Sequence, residues 1–132
     1  MHSCNKNLRV MKSIYCSNKC QRDHGFEVYV LKWKIGKVSG NRRVNAKNIS
    51  SNVRRYLLTK ANYSCSLCGW HKKNRTTGTC PLEVDHLDGD SENNRENNLL
   101  VLCPNCHSLT PNFRNLNRGN GREWSKLKYI KA

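Results

Sequence analysis

EVDHLDGDSENNRENNLLVLCPNCH, residues 83–107, places two carboxylates and a histidine close together, then an Asn-rich run, then a cysteine pair with a histidine attached. Three kinds of metal chemistry are conceivable for such a stretch: a calcium loop, a zinc module, or a catalytic site built on one. A calcium loop started at Asp88 finds acids at Asp90 and Glu92. It fails at the two positions that define the geometry. Asn93 stands where the sharp turn needs glycine, and Leu99 where a bidentate glutamate should close the shell.

Working outward, CPNC (Cys103 and Cys106) has a counterpart in CSLC (Cys65 and Cys68), 34 residues earlier counting 69 to 102. Two CxxC knuckles converging on one tetrahedral Zn²⁺ form a strong signature, because four thiolates satisfy a zinc shell completely. The gap is long for a compact ribbon but holds a hairpin with a loop. LEVDH (82–86) and LLVL (99–102) have strand character, and Gly89, Asn93, Asn94 and Asn97 fill the turn between them. Pro104 suits a first helical turn and Pro111 ends the helix. The expected order is strand, loop, strand, helix. Cys80 is left over as a packed or free thiol.

On this scaffold His107 follows the last zinc cysteine, so the knuckle holds it rigidly. A helix packed on the hairpin could bring it near Asp85 and His86. One carboxylate and one imidazole make an incomplete shell for a hydrolytic cation. A second imidazole nearby suits a general base for water. DH is also a common dipeptide, and a helix histidine can be merely structural.

The whole chain bounds the partners. It has 132 residues with 24 Lys plus Arg against 9 Asp plus Glu, a formal charge of +15, and 36% hydrophobic residues. The apolar fraction is low for a large core, so a metal staple is expected. Basic residues dispersed along the chain point to a polyanion, most often nucleic acid. No apolar run approaches the ~20 residues that span a bilayer. MHSCNKNLRV lacks a signal-peptide core. The expectation is an intracellular protein with no membrane partner, whose eight cysteines are reduced and serve metal before disulfides.

Taken together, Asp85-His86, Asn98 before a Leu, and Cys103-Pro-Asn-Cys106-His107 resemble the His-Asn-His motif of HNH endonucleases, in particular the small phage-type proteins, some of them homing endonucleases. The flanking SSNVRRYLLTKANYSCSLCGW and HSLTPNFRNLNRGNGR are similar to that group as well. The resemblance implies an α+β fold, a small zinc-stapled ββα-metal (HNH or treble-clef-like) nuclease domain. It implies His86 as general base, and Asp85 and His107 as ligands of one catalytic Mg²⁺ or Mn²⁺. Asn98 would bond loop backbone and keep His86 in register; Asn97 competes for that role. Zinc on Cys65, Cys68, Cys103 and Cys106 would be structural. The implied substrate is double-stranded DNA, nicked or cut in both strands by a monomer or homodimer, leaving 5′-phosphate and 3′-hydroxyl ends.

The N-terminus also resembles part of that group, in which a small zinc finger precedes the nuclease. Here Cys4, Cys16 and Cys20 are present, with His24 or His2 able to complete a second zinc site, but the first cysteine of the pattern is replaced by Met1. The domain expectation is a finger-like segment 1–27, a connector 28–48 in which VYVLKWKIGKVSG (28–40) reads as a strand pair or irregular link, and a nuclease domain 49–132. Within the last, Ser50 or Ser51 caps a helix whose Val53, Tyr56 and Leu57 share one face. Arg54 and Arg55 off that face, with Arg114, Arg118 and Arg122 in the tail, are candidate DNA contacts, though each can equally be a solvated charge. A zinc-stapled DNA-binding module without catalysis explains charge and cysteines equally well. An RNA-directed protein would too, since phosphate contacts carry no sequence information. Only the nuclease also explains Asp85, His86 and His107.

Overall fold

A computed structural model describes residues 14–43 and 46–119. Cys4 and Arg122 fall outside them. The elements are α1 (Asn18–Lys34), a small hairpin β1 (Asn41–Arg43) and β2 (Ala46–Ile49), α2 (Ser51–Lys60), then β3 (Glu83–His86), β4 (Leu99–Leu102) and α3 (Pro104–Ser108).

The first departure from expectation is α1. Residues 28–34 are helical, not a strand pair or irregular link, and the boundary expected at 27 falls inside the helix. Val28, Tyr29 and Val30 lend the segment strand propensity, but propensity yields to packing. Phe26, Tyr29, Val30 and Trp33 recur at helical spacing and face one core, with Val30 and Trp33 buried. Ser17 caps the start by accepting from Cys20 N at 3.1 Å. Gly36, at φ 74, closes the end, with Gly36 N bonding Trp33 O and Lys37 N bonding Lys32 O, so the last carbonyls are satisfied.

α2 forms as its sequence requires. Ser50 Oγ accepts from Val53 N at 3.1 Å, and Val53 and Leu57 are buried with Tyr56 half-buried beside them. Tyr56 meets Trp33 edge-on, with ring centroids 5.7 Å apart, which locks α2 to α1.

β3 and β4 pair antiparallel, Glu83 opposite Leu102 through His86 opposite Leu99. Leu99, Val101 and Leu102 join Val30, Trp33, Val53, Leu57 and Leu82 in one buried cluster. α1 therefore shares its core with the hairpin. α3 begins at Pro104 and stops before Pro111, as expected. The result is a small mixed α and β structure in which a hairpin, a short helix and two longer helices converge. Among the described residues, no helix is long and apolar enough to cross a membrane.

Candidate active site and metal centre

The four thiols of Cys65, Cys68, Cys103 and Cys106 gather with all Sγ atoms within 4.8 Å of one another. Cys68 Sγ and Cys103 Sγ are 3.8 Å apart. Thiolates at Zn–S distances of about 2.3 Å on a tetrahedron lie about 3.8 Å from each other, so the donor set fits zinc. Backbone bonds build the cage. Cys65 N bonds Trp70 O and Gly69 N bonds Cys65 O, which curls the first knuckle, and Ser66 N bonds Val101 O, which ties it to β4. The second knuckle sits at the start of α3, where Cys103 Sγ accepts from Cys106 N at 3.4 Å.

The thiols do not ionise alike. Burial opposes a thiolate at Cys65, but backbone N–H groups of Cys103, Cys68 and Leu67 outweigh it and draw the thiol down to about 6. At Cys106, hydrogen bonds with Cys68 and Cys103, and then burial, push the thiol up to about 12. Cys80 stays outside the four, half-buried against the core, its thiol pushed up by burial and by the nearby Cys103 and Cys65.

The polar face lies beside this cage. Neighbouring residues of a strand point to alternate sides, so Asp85 and His86 part company. Asp85, buried, turns toward α3, where its Oδ1 lies 3.3 Å from His107 Nε2. His107 Nδ1 is 2.5 Å from Glu83 Oε2. Phe113 meets the His107 ring edge-on with centroids 5.2 Å apart. Glu83 was not among the candidates read from sequence. Its signal was its place two residues before Asp85 on the same strand, hence on the same side. Of the trio expected to converge, the structure joins Asp85 to His107, while the His86 imidazole bonds Asn94 Oδ1 at 2.8 Å through Nε2.

Asn98, not the exposed Asn97, is the buried asparagine of the run. Its Oδ1 accepts from Asp88 N at 3.0 Å, and its Nδ2 donates to Asp88 Oδ1 and Asn93 O, both at 2.8 Å. Its carbonyl accepts from Leu87 N. Burial disfavours charge on Asp88, but hydrogen bonds from Asn93, Asp90 N and Asn98 hold its carboxyl below the usual range. The loop that follows His86 is thus tied down at both ends.

Basic residues fall in two groups. Arg54 donates to Leu82 O at 2.8 Å, and Arg55 pairs with Asp23 at 3.4 Å while its guanidinium lies 4.2 Å from the Phe26 ring centroid. Both are committed to the fold as well as exposed. Arg114 lies 4.9 Å over Phe113, next to His107, and Arg118 is exposed nearby in the chain. At the N-terminal side, Cys20 is buried and His24 packs on Tyr15 with centroids 5.5 Å apart. Among the described residues, Cys16, Cys20 and His24 do not gather as a three-ligand cluster.

Comparison with known proteins finds partial matches. The chain is 45% identical over 60 residues to an H-N-H endonuclease, F-TflIV, of Escherichia phage T5, covering 46% of this chain and 24% of that protein. It is 40% identical over 67 residues to the Zorya protein ZorE of Escherichia coli, covering 51% of this chain and 16% of that protein. The chain therefore spans under a quarter of the length of either relative. No protein-family model matches, and no solved structure does. Both matches cover only part of this chain, and the first is to an H-N-H endonuclease, the family that Asp85-His86, Asn98 and the CPNCH run resemble.

Proposed function

We propose that this protein is a metal-dependent HNH-type endonuclease that hydrolyses phosphodiester bonds of double-stranded DNA, in the manner of a phage homing or nicking enzyme. The observation that supports it most directly is the pair Asp85 Oδ1 and His107 Nε2, 3.3 Å apart on neighbouring elements. Adjacent oxygen and nitrogen ligands at about 2.1 Å from an octahedral cation lie about 3 Å apart, so the pair fits two positions of one Mg²⁺ or Mn²⁺. Such a cation, when bound, supplies charge stabilisation to the phosphoryl oxygens and the departing 3′ oxygen.

The chain's own residues do the rest. Glu83 accepts the Nδ1 proton of His107 and so presents the Nε2 lone pair toward Asp85, the carboxylate–histidine arrangement that orients metal ligands. His86 leaves the strand end on its other side, so a phosphodiester lying across that end meets the cation pair and the imidazole together. His86 takes a proton from the attacking water. Asn98 holds the loop after His86 closed. Zinc on the four cysteines keeps α3, and with it His107, against β3. Phosphate contacts come from a surface of net charge +15, including Arg114 and Arg118. Phosphate contacts by Arg54, Arg55 and Arg122 belong to the same reading, whereas a second zinc at Cys4, Cys16, Cys20 and His24 would need Cys16, Cys20 and His24 to move together from the positions they hold here.

Supercoiled plasmid incubated with the protein tests it. Relaxed or linear product should form with Mg²⁺ or Mn²⁺ and vanish with EDTA. A protein that retains zinc and binds plasmid but never cuts it, with either ion, is instead a zinc-stapled DNA-binding module.

A further inference from the structure

Asn94 is 2% exposed and sits in a run where the sequence offers four asparagines within six residues, 93 to 98. Three of its four polar groups reach other parts of the chain, while its N–H bonds Glu92 O. Nδ2 donates to Asn41 Oδ1 at 2.7 Å, Oδ1 meets His86 Nε2 at 2.8 Å, and the backbone carbonyl accepts from Trp33 Nε1 at 2.7 Å. Trp33, 5% exposed, comes from the last turn of α1. Gly40 closes the arrangement: at φ +78, a Cβ there would lie 2.7 Å from Trp33 Nε1 and 3.2 Å from Asn94 Cβ. Only a glycine lets the chain pass so close.

The bonds have a direction. Because the Asn94 amide is assigned with Nδ2 toward Asn41, its Oδ1 is an acceptor, so the neutral His86 ring must donate from Nε2. The proton then resides on Nε2 and the lone pair on Nδ1. We propose that Asn94 is a positioning residue that fixes the tautomer and direction of the His86 imidazole, and that α1, through Trp33, holds Asn94 in place. The N-terminal helix is then part of the catalytic apparatus. A free imidazole would divide its proton between two nitrogens and turn about its side-chain bonds; Asn94 removes both freedoms. This rests on the reading of His86 as the base, but its first readout does not.

The test uses the full, zinc-loaded chain with ¹⁵N-labelled histidine. Long-range ¹H–¹⁵N spectra at a pH where the ring is neutral report the tautomer directly. The parent should show His86 protonated at Nε2 alone. Asn94→Leu, of similar volume, should show a mixture, and its kcat on plasmid should fall on the order of 10²-fold with KM little changed, the usual effect of a misplaced reacting group. Asn94→Asp keeps an acceptor oxygen and should restore the single tautomer and most of kcat. Trp33→Phe keeps the ring packing but removes the indole donor, and should lower kcat by roughly tenfold without loss of zinc. If Asn94→Leu fails to fold, Asn94→Asp and Trp33→Phe carry the same comparison. A parent whose His86 is a tautomer mixture, or a folded Asn94→Leu with the parent's tautomer and kcat, overturns the proposal. If His86→Ala cuts like the parent, the base assignment falls, while the tautomer result still judges the Asn94 contact by itself.

Discussion

The cysteine cage and the polar face beside it share β3, β4 and α3, yet they are built on different logic. The cage draws four possible ligands of one kind from two short knuckles, the first of them tied to β4 through Ser66 N and Val101 O. The polar face draws Asp85 and Glu83 from β3, His107 from α3, Asn94 and Asn98 from the loop, and Trp33 from α1. The cage should be all-or-none, since one metal needs all four thiols. The polar face is distributed over several elements, so its members can be substituted one at a time.

The largest expected effect tests the all-or-none half. Cys103→Ser removes one thiolate, while its hydroxyl can still cap α3, so the zinc should be lost and the hairpin with α3 should unfold for want of the metal. Elemental analysis and circular dichroism check it. Zinc retained at full occupancy in this variant would break the contrast.

His86→Ala should do the opposite. It removes no zinc ligand, so the variant should fold and bind DNA, with plasmid cleavage slower by about 10²–10⁴-fold. Glu83→Gln is milder. An amide in place of the carboxylate weakens the hold on His107 Nδ1, and the Mn²⁺ concentration for half-maximal cleavage should rise by about 10-fold or more, up to ~100-fold, with zinc content unchanged.

Gly40→Ala strains a positive φ and intrudes on Trp33 and Asn94. A loss of about 1–3 kcal/mol in urea unfolding is expected, with zinc retained. The smallest effect lies where the helices meet the loop. Glu96 accepts from Lys60 at 2.6 Å and from Tyr56 at 2.9 Å, and the Lys60 bond, ahead of the opposing burial, holds its carboxyl below the ordinary range. Because its folded value is depressed, its contribution is complete above the unfolded carboxylate range and is lost as pH falls through the lower folded value. Lys60 is 59% exposed, so solvent screens the pair. Glu96→Gln should cost only about 0.5 kcal/mol near neutrality, shrinking toward zero in acid, as urea titrations at several pH values would show.

Much was legible before any coordinates. CxxC spacing points to Cys65, Cys68, Cys103 and Cys106 because two thiols with two residues between them can share one small ion. Alternation in EVDH and the Ser50 cap announced β3 and α2, since both signals are written in neighbouring residues. α1 was not legible as a helix, because strand-forming Val28, Tyr29 and Val30 mask the helical period of Phe26, Tyr29, Val30 and Trp33. The Asp85, His86 and His107 set could be proposed from the motif, and Asn98 from its place before Leu99. Which of these touch was decided by tertiary structure alone. Strand alternation sent Asp85 to α3 and His86 to Asn94. Nothing local distinguishes Asn94 from Asn93 or Asn97, because what makes it special is burial beneath an indole 61 residues away in the chain. Periodicity and ligand spacing are short-range properties and can be read along the chain. A hydrogen-bonded site assembled from four elements exists only once the shared core has brought them within reach.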